Sequence, residues 1–567
     1  GLSVHGSIAY DSYYYSRKKY SKTFPYYLAR RDAEDPDYIY LIPQSEESIW
    51  SVSTGWDKNR KVYMEFGIDY NRTFGLHKTT ALILYNQSKY YSPSLQYYVP
   101  NAYQGLVGRL TYEYASRYLA EFNMGYNGTE NFAKGKRFGF FPAVSLGWVI
   151  SEEKFFPKNN IVKYLKVRGS YGEVGNDQIG GDRFLYLPSS YGAASDSGVN
   201  KYNFGLASNP YTSLMIVENK IGNPDLTWEK AKKMNVGVDI NLFNNCLTAS
   251  FDIFKEKRNN ILANRSTSPM IIGANLPAYN FGEMENRGWE MDLNFRHHIQ
   301  DFHYWARFNY SFARNEIIYM DEVQKRYDYQ MTTGRRKNQF FGLIFDGYYN
   351  SWEEINALDR PKSSWSGNQL QPGDVKYIDV NQDGVIDDYD MVPIGYTPVP
   401  EIIYGFSFGA QYKGFDFSIL FQGADNVSIK YFGRSMWPFA KGEESAKSLI
   451  KERWTQERYE AGEKITFPRL SLNPNGETDH NYRPSTLWIR DASYLRLKNL
   501  EVGYTFTGGF VKRLNLNSVR LYFNGSNLFT WTDVVDLDPE APSRSGNVEI
   551  NTYPLQKVYN IGLNINF

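Results

Sequence analysis

Apolar and polar residues alternate with period two through much of this chain. At its carboxyl end Tyr559, Ile561, Leu563, Ile565 and Phe567 take one set of positions and Asn560, Gly562, Asn564 and Asn566 the other. Successive side chains of an extended strand point to opposite faces, so the segment predicts a strand with one apolar and one wet face. The pattern recurs. Met64, Phe66, Ile68 and Tyr70 alternate with Glu65, Gly67 and Asp69, and Tyr118, Ala120, Phe122, Met124 and Tyr126 with Leu119, Glu121, Asn123 and Gly125. Trp289, Met291, Leu293 and Phe295 alternate with Glu290, Asp292, Asn294 and Arg296. Two pairs of segments predict hairpins: Val236–Leu242 with Leu247–Ile253 about Asn244-Asn245, and Tyr404–Tyr412 with Phe415–Phe421 about Lys413-Gly414. Roughly 15 or 16 strands are expected in all, with boundaries good to a few residues. Their length is near the roughly 9–11 residues that a tilted strand needs to cross a bilayer.

Composition favours a membrane setting without helical spans. No run of 18 apolar residues exists, and mean hydropathy is −0.54. Aromatics nevertheless reach 17%, with 48 Tyr, and amphipathic rings suit the two membrane interfaces. A soluble all-β protein of 567 residues would be expected to divide into domains, and no Pro/Ser/Gly-rich linker interrupts this chain. The expectation is therefore one all-β domain, a transmembrane antiparallel β-barrel. Its long connections, 176–227, 320–401, 426–491 and 532–555, read as extracellular loops, because barrels of this type pair long outer loops with short periplasmic turns.

These connections and the one near residue 97 concentrate aromatic and arginine side chains. Tyr97, Tyr98, Arg183, Tyr186, Trp437, Tyr482, Arg483 and Trp488 are candidate contacts for a substrate or a partner, since such faces stack on sugar rings or pack peptide side chains. Packing within the loops is the competing role for each. Phe432 belongs to the same aromatic set.

A net charge of +1 gives no basic stripe of the kind nucleic-acid binding uses. The single cysteine, Cys246, cannot form an internal disulfide and reads as packing beside a turn. Six histidines include the adjacent pair His297-His298, with no third ligand in register, and no phosphate-cradling glycine loop occurs. Nothing in this inventory predicts an enzyme. Gly1 is followed at once by strand-like residues, so the chain is expected to begin after processing or to be a fragment.

Several blocks carry a family resemblance: AEFNMGYNGTENFAKGKRFGFFPAVSLGWVISEEKFF (120–156), GSYGEVGND (169–177), GNPDLTWEKAKKMNVGVD (222–239), NRGWEMDL (286–293), YLRLKNLEVGYTF (494–506) and NLFTWTD (527–533). In this order they resemble the SusC/RagA-like TonB-dependent transporters of Bacteroidetes outer membranes, from about Val62 to Phe567. The resemblance implies active import of an oligosaccharide or oligopeptide across the outer membrane, beneath a SusD-like lipoprotein lid and coupled to TonB through a plug. It also makes the aromatic carboxyl-terminal residue, Phe567, a signal read by barrel-assembly machinery. No TonB box or plug is recognisable in Gly1–Lys61. The expectation is thus that residues 1–567 form the carboxyl-terminal part of one barrel of about 22 strands, with the plug and first strands elsewhere. A self-closed passive porin and a surface adhesin are the alternatives.

DVNQDGVIDDYD, Asp379 to Asp390, follows the D-x-N-x-D-G pattern of a calcium loop. Asp379, Asn381 and Asp383 would offer side-chain oxygens, Val385 its carbonyl, Asp387 a ninth-position oxygen and Asp390 a short twelfth-position carboxylate. All-oxygen donors suit calcium over zinc, and its role would be to pin a long loop.

Overall fold

The computed structural model describes every residue except 26, 32–38, 44–47, 179–182, 189–191, 194–200, 207–210, 218–220, 268–275, 366–369, 432–436, 440–447, 472–478, 536, 541–546 and 549–554. Phe432 falls outside the described residues. Sixteen strands form one antiparallel sheet in which each pairs with its sequence neighbours. They are β1 (Leu2–Ser21), β2 (Ser51–Phe74), β3 (His77–Tyr91), β4 (Asn101–Tyr114), β5 (Tyr118–Thr129), β6 (Phe138–Val149), β7 (Val162–Asn176) and β8 (Glu229–Leu242). There follow β9 (Leu247–Ala263), β10 (Tyr279–Ile299), β11 (Phe302–Tyr319), β12 (Ile402–Tyr412), β13 (Phe415–Asp425), β14 (Tyr494–Phe506), β15 (Ser518–Thr532) and β16 (Val558–Asn566).

Every segment expected to alternate lies in a strand, and register places its apolar residues on a common face. Val236, Val238 and Ile240 oppose Ile253, Phe251 and Ala249, and Phe251 and Ile253 in turn oppose Met291 and Trp289. This outward face stays open, with Ile561 81% and Leu563 59% exposed, as a surface meant for lipid would be. Aromatic pairs bracket it. Near the short turns Tyr118 faces Trp148 across β5 and β6, and both give a hydrogen bond to Glu153, the Tyr118 hydroxyl at 2.5 Å and the Trp148 indole N–H at 3.1 Å. Eight residue steps along β5 lead from Tyr118 to Tyr126, about 27 Å of strand, where Tyr126 stacks on Phe138.

Turn length separates the two ends of the sheet. At one end Lys413 (φ 44°) and Gly414 (φ 90°) close a two-residue hairpin between Tyr412 and Phe415, which requires left-handed backbone at both positions. Phe243, Asn244 and Asn245 take positive φ in the β8–β9 turn at the same end, and half-buried Cys246 ends it. All the long connections emerge at the other end.

Two expectations need correction. Strands β12 and β13, of 11 residues each, and β16, of 9, have the expected length, but others exceed a bare membrane crossing: β2 has 24 residues and β10 has 21, because pairing continues beyond the apolar belt into charged rows. Gly1–Lys61, set outside the resemblance above, is largely sheet, since β1 pairs with β2 through 20 consecutive partners from Leu2↔Tyr70 to Ser21↔Ser51. Among the described residues β1 and β16 each have one strand partner and do not pair with each other.

Candidate functional site

The inward face is polar, and its charges are fixed in cross-strand sets. On β7 the Arg168 guanidinium donates to Asp252 Oδ1 and Oδ2 at 2.6 and 2.7 Å and to Asp239 Oδ2 and Oδ1 at 3.1 and 3.2 Å. It lies across Gly237, where a Cβ would stand 2.6 Å from Arg168 Cζ. On β15 Arg520 joins Asp416 and Glu501, again over a glycine, Gly503. Arg109 pairs with Glu121 at 2.9 Å. Glycine lets the Arg168 and Arg520 guanidinium groups lie across the adjacent strand, where the planar fork meets one carboxylate of that strand and one of the strand beyond it. Between the Arg109 and Arg168 sets opens a cavity of about 400 Å³ that also takes in Lys78, Thr111, Lys166 and Asn235.

At the long-loop end, three connections share one apolar core. Leu343, Val375 and Ile386 come from the β11–β12 connection, Tyr431, Trp437, Phe467, Tyr482 and Trp488 from β13–β14, and Val534 from β15–β16. Polar seams lock the same contacts. His480 Nε2 lies 2.7 Å from the Val375 carbonyl, Asn481 takes the Val375 N–H at 2.9 Å, and its amide donates to Asp374 at 2.7 Å. Burial pushes the His480 imidazole down and the Tyr377 and Tyr482 phenols up. Arg496, 2% exposed, anchors the last connection by Asp538, Glu540 and the Thr530 hydroxyl.

This core corrects part of the expected contact set. Trp437, Tyr482 and Trp488 are 7%, 2% and 2% exposed, so they hold loops together and offer no ring to a substrate or lid. Arg483 covers the Trp365 ring at 4.0 Å. Tyr97 and Tyr98 remain open, at 64% and 81%, on a short turn with left-handed backbone at both. Arg183 serves that turn: it pairs with Glu130 at 2.7 Å and donates to the Val99 and Pro100 carbonyls. Tyr97 meets Phe184, whose edge contacts Tyr186. The sequence pattern thus marked loop aromatics without distinguishing rings that build a platform from rings displayed on it. It missed the inward arginines, because Arg168 meets Asp239 and Asp252 only once register is known.

In the Asp379–Asp390 loop the acidic and amide oxygens hold their own backbone. Asp379 accepts from the Gly384 N–H at 2.8 Å, Asn381 from the Asp383 N–H at 2.9 Å and Asp383 from the Val385 N–H at 2.9 Å, around Gly384 at φ 81°. Asp387 caps the following turn through the Tyr389 N–H. Asp390 is fully buried and accepts from the Val380, Asn381 and Asp387 N–H groups, while burial pushes its carboxyl up. Among the described residues no group of three His, Cys, Asp or Glu side chains converges on a metal position.

A polar inward face under interlocked loops, on a sheet with an aromatic-bracketed apolar exterior, is the anatomy of an outer-membrane β-barrel. The family model "TonB dependent receptor-like, beta-barrel" matches residues 2–528. This chain belongs to that family. The match begins sixty residues before the boundary read from the sequence blocks, in keeping with β1 and β2. Among curated relatives, TonB-dependent receptor P3 of Formosa agariphila is 28% identical over 479 residues, covering 81% of this chain and 45% of its own length. SusC of Bacteroides thetaiotaomicron is 28% identical over 477 residues, covering 83% of this chain and 44% of its own length. The chain therefore spans a little under half the length of these relatives. In the RagAB peptide importer's open-open structure, a chain superposes with TM-score 0.73 at 21% identity over 100% of this chain and 59% of its own length, a likeness of fold. The family is one of receptors and transporters of the outer membrane.

Proposed function

We propose that this chain is barrel from a TonB-coupled importer of an oligomeric nutrient, oligosaccharide or oligopeptide, that works with a SusD-like surface lipoprotein. The observation that carries this reading is the shared loop core: described residues of connections from three places in the sheet pack into one apolar cluster above a charged inner face. A lid needs such a base, and a simple pore does not. Tyr97 and Tyr98, displayed beside the platform, are the rings best placed to meet substrate or lid. Each outer edge at β1 and β16 would leave unpaired N–H and C=O groups in hydrocarbon, which favours completion by further strands toward about 22, with a plug inside. Calcium is the structural ion proposed for the Asp379–Asp390 loop, held by Asp379, Asn381, Asp383 and the Val385 carbonyl. Asp390 would brace the turn from behind. Phe567, 86% exposed at the end of β16, is the proposed assembly signal.

The test is gentle detergent extraction from the native membrane followed by mass spectrometry of the co-purifying proteins. Recovery of a surface lipoprotein in equal amount, with a polypeptide bearing plug and barrel, is expected. An isolated barrel without lipoprotein or plug would refute the lidded importer in favour of a passive channel.

A further inference from the structure

Arg287 and Arg314 are direct cross-strand partners on β10 and β11, at the long-loop border of the apolar belt. Two residues back toward the membrane, Trp289 faces Phe312 on the same side of the sheet, and Trp289 stacks on Tyr310 with ring centres 4.7 Å apart. The arginines therefore lie about 7 Å of strand beyond the aromatic girdle, on the lipid-facing side, at the height of lipid headgroups. With Arg335, Arg336 and Gln339 they line an open cavity of about 410 Å³.

Its charge is unbalanced. Glu401, 4% exposed, sits behind the cavity and pairs with Arg314 at 2.8 Å and with Arg336. Glu316 reaches Arg287 only at 4.0 Å. Four guanidinium groups thus meet two carboxylates, and Arg287 keeps 61% of its side chain exposed. Elsewhere on the same outward border the charges are matched, as in Lys255 with Glu285 and Lys257 with Glu283, both at 2.9 Å. The Arg336 guanidinium is further braced against the Tyr396 ring at 5.1 Å, so the back wall is fixed before any ligand arrives. Planar forks in a preset concavity suit the tetrahedral oxygens of a phosphate.

We propose that this cavity binds the phosphate-bearing headgroup of an outer-leaflet lipid, fixing the long-loop border of the barrel to the membrane surface. Height, outward orientation and surplus charge favour a lipid over a dissolved anion. The site concerns the membrane face and does not depend on what the barrel imports.

The test uses the delipidated full-length protein in non-ionic detergent, titrated by native mass spectrometry with diphosphorylated lipid A, with its dephosphorylated form and with inorganic phosphate. Wild type is expected to retain the phosphorylated lipid and to release the dephosphorylated one. The double substitution Arg287→Gln with Arg335→Gln should weaken retention about 30-fold, as loss of two basic groups at an anionic surface would. Unchanged heat-modifiable migration of the variant in gels would show that its barrel is intact. Equal binding of both lipid forms, or equal binding by wild type and variant, would overturn the proposal. Binding of inorganic phosphate as tight as that of the lipid would overturn the lipid source and leave a free-anion site.

Discussion

Arg496 Nη2 donates to Asp538 Oδ1 at 2.7 Å, tying strand β14 to the connection that follows β15. The same guanidinium meets Glu540, which also accepts from the Tyr494 hydroxyl at 2.7 Å and the Gln422 amide at 3.0 Å. Arg496→Ala would strand two carboxylates, 10% and 22% exposed, without their main cation. Breaking a buried pair from one side costs about 3 kcal/mol or more. The expected outcome is faster protease cleavage within residues 533–557 while the barrel itself stays folded; an unchanged cleavage rate would remove Arg496 as the anchor.

Gly237 gives the Arg168 set its geometry. A valine there would put Cβ 2.6 Å from both Arg168 Cζ and Asp252 Oδ1, and such overpacking costs about 1–3 kcal/mol. Gly237→Val is expected to lower the temperature of the heat-modifiability transition. At Gly55 a Cβ would meet no atom within 4 Å, so Gly55→Val is the control and should leave the transition in place.

The loop core should loosen in acid. Burial opposes the charging of His480 and outweighs the Val375 carbonyl, which accepts from Nε2–H and favours the charged ring; Nδ1 lies 2.9 Å from the Ser363 hydroxyl. Its pKa is lowered on folding, so the unfolded loops bind the extra proton. Stability contributed here is complete above the ordinary histidine pKa of about 6.5 and falls as pH drops from there toward the folded value. Protease sensitivity of residues 340–490 is expected to rise between pH 7.5 and pH 5. His480→Gln should flatten that dependence; a variant with the wild-type profile would assign the acid effect to other groups.

The strands were legible because one physical demand, lipid outside and water inside, writes itself into every second residue. Tyr404–Tyr412 and Phe415–Phe421 needed only period and a Lys-Gly turn, and they pair as read. The loop platform carries no such period. Whether Trp488 is displayed or buried depends on Phe467 and Tyr482 arriving from elsewhere in the same connection and Val375 from another, which alternation cannot encode. Charge sets such as Arg168 with Asp252, 84 residues apart, become visible only through register. Length beyond the belt was likewise hidden, because charged rows such as Lys255 and Glu285 continue the strands without continuing the apolar alternation.

Calcium provides a separate check on the Asp379–Asp390 loop. Adding the ion to chelator-treated full-length protein is expected to slow cleavage near residues 379–390, and Asp379→Ala with Asp383→Ala should abolish the protection. Equal cleavage with calcium and with chelator would make the loop a turn held by its own hydrogen bonds, such as Asp379 to the Gly384 N–H.

The most direct measurement is accumulation of labelled oligosaccharide and oligopeptide mixtures by cells carrying the full-length protein, with and without the inner-membrane TonB protein. Active import through a plugged barrel is expected to collapse to background when TonB is deleted, for one of the two cargo classes. Uptake that persists without TonB and merely equilibrates across the membrane would contradict the account and make the barrel a passive channel.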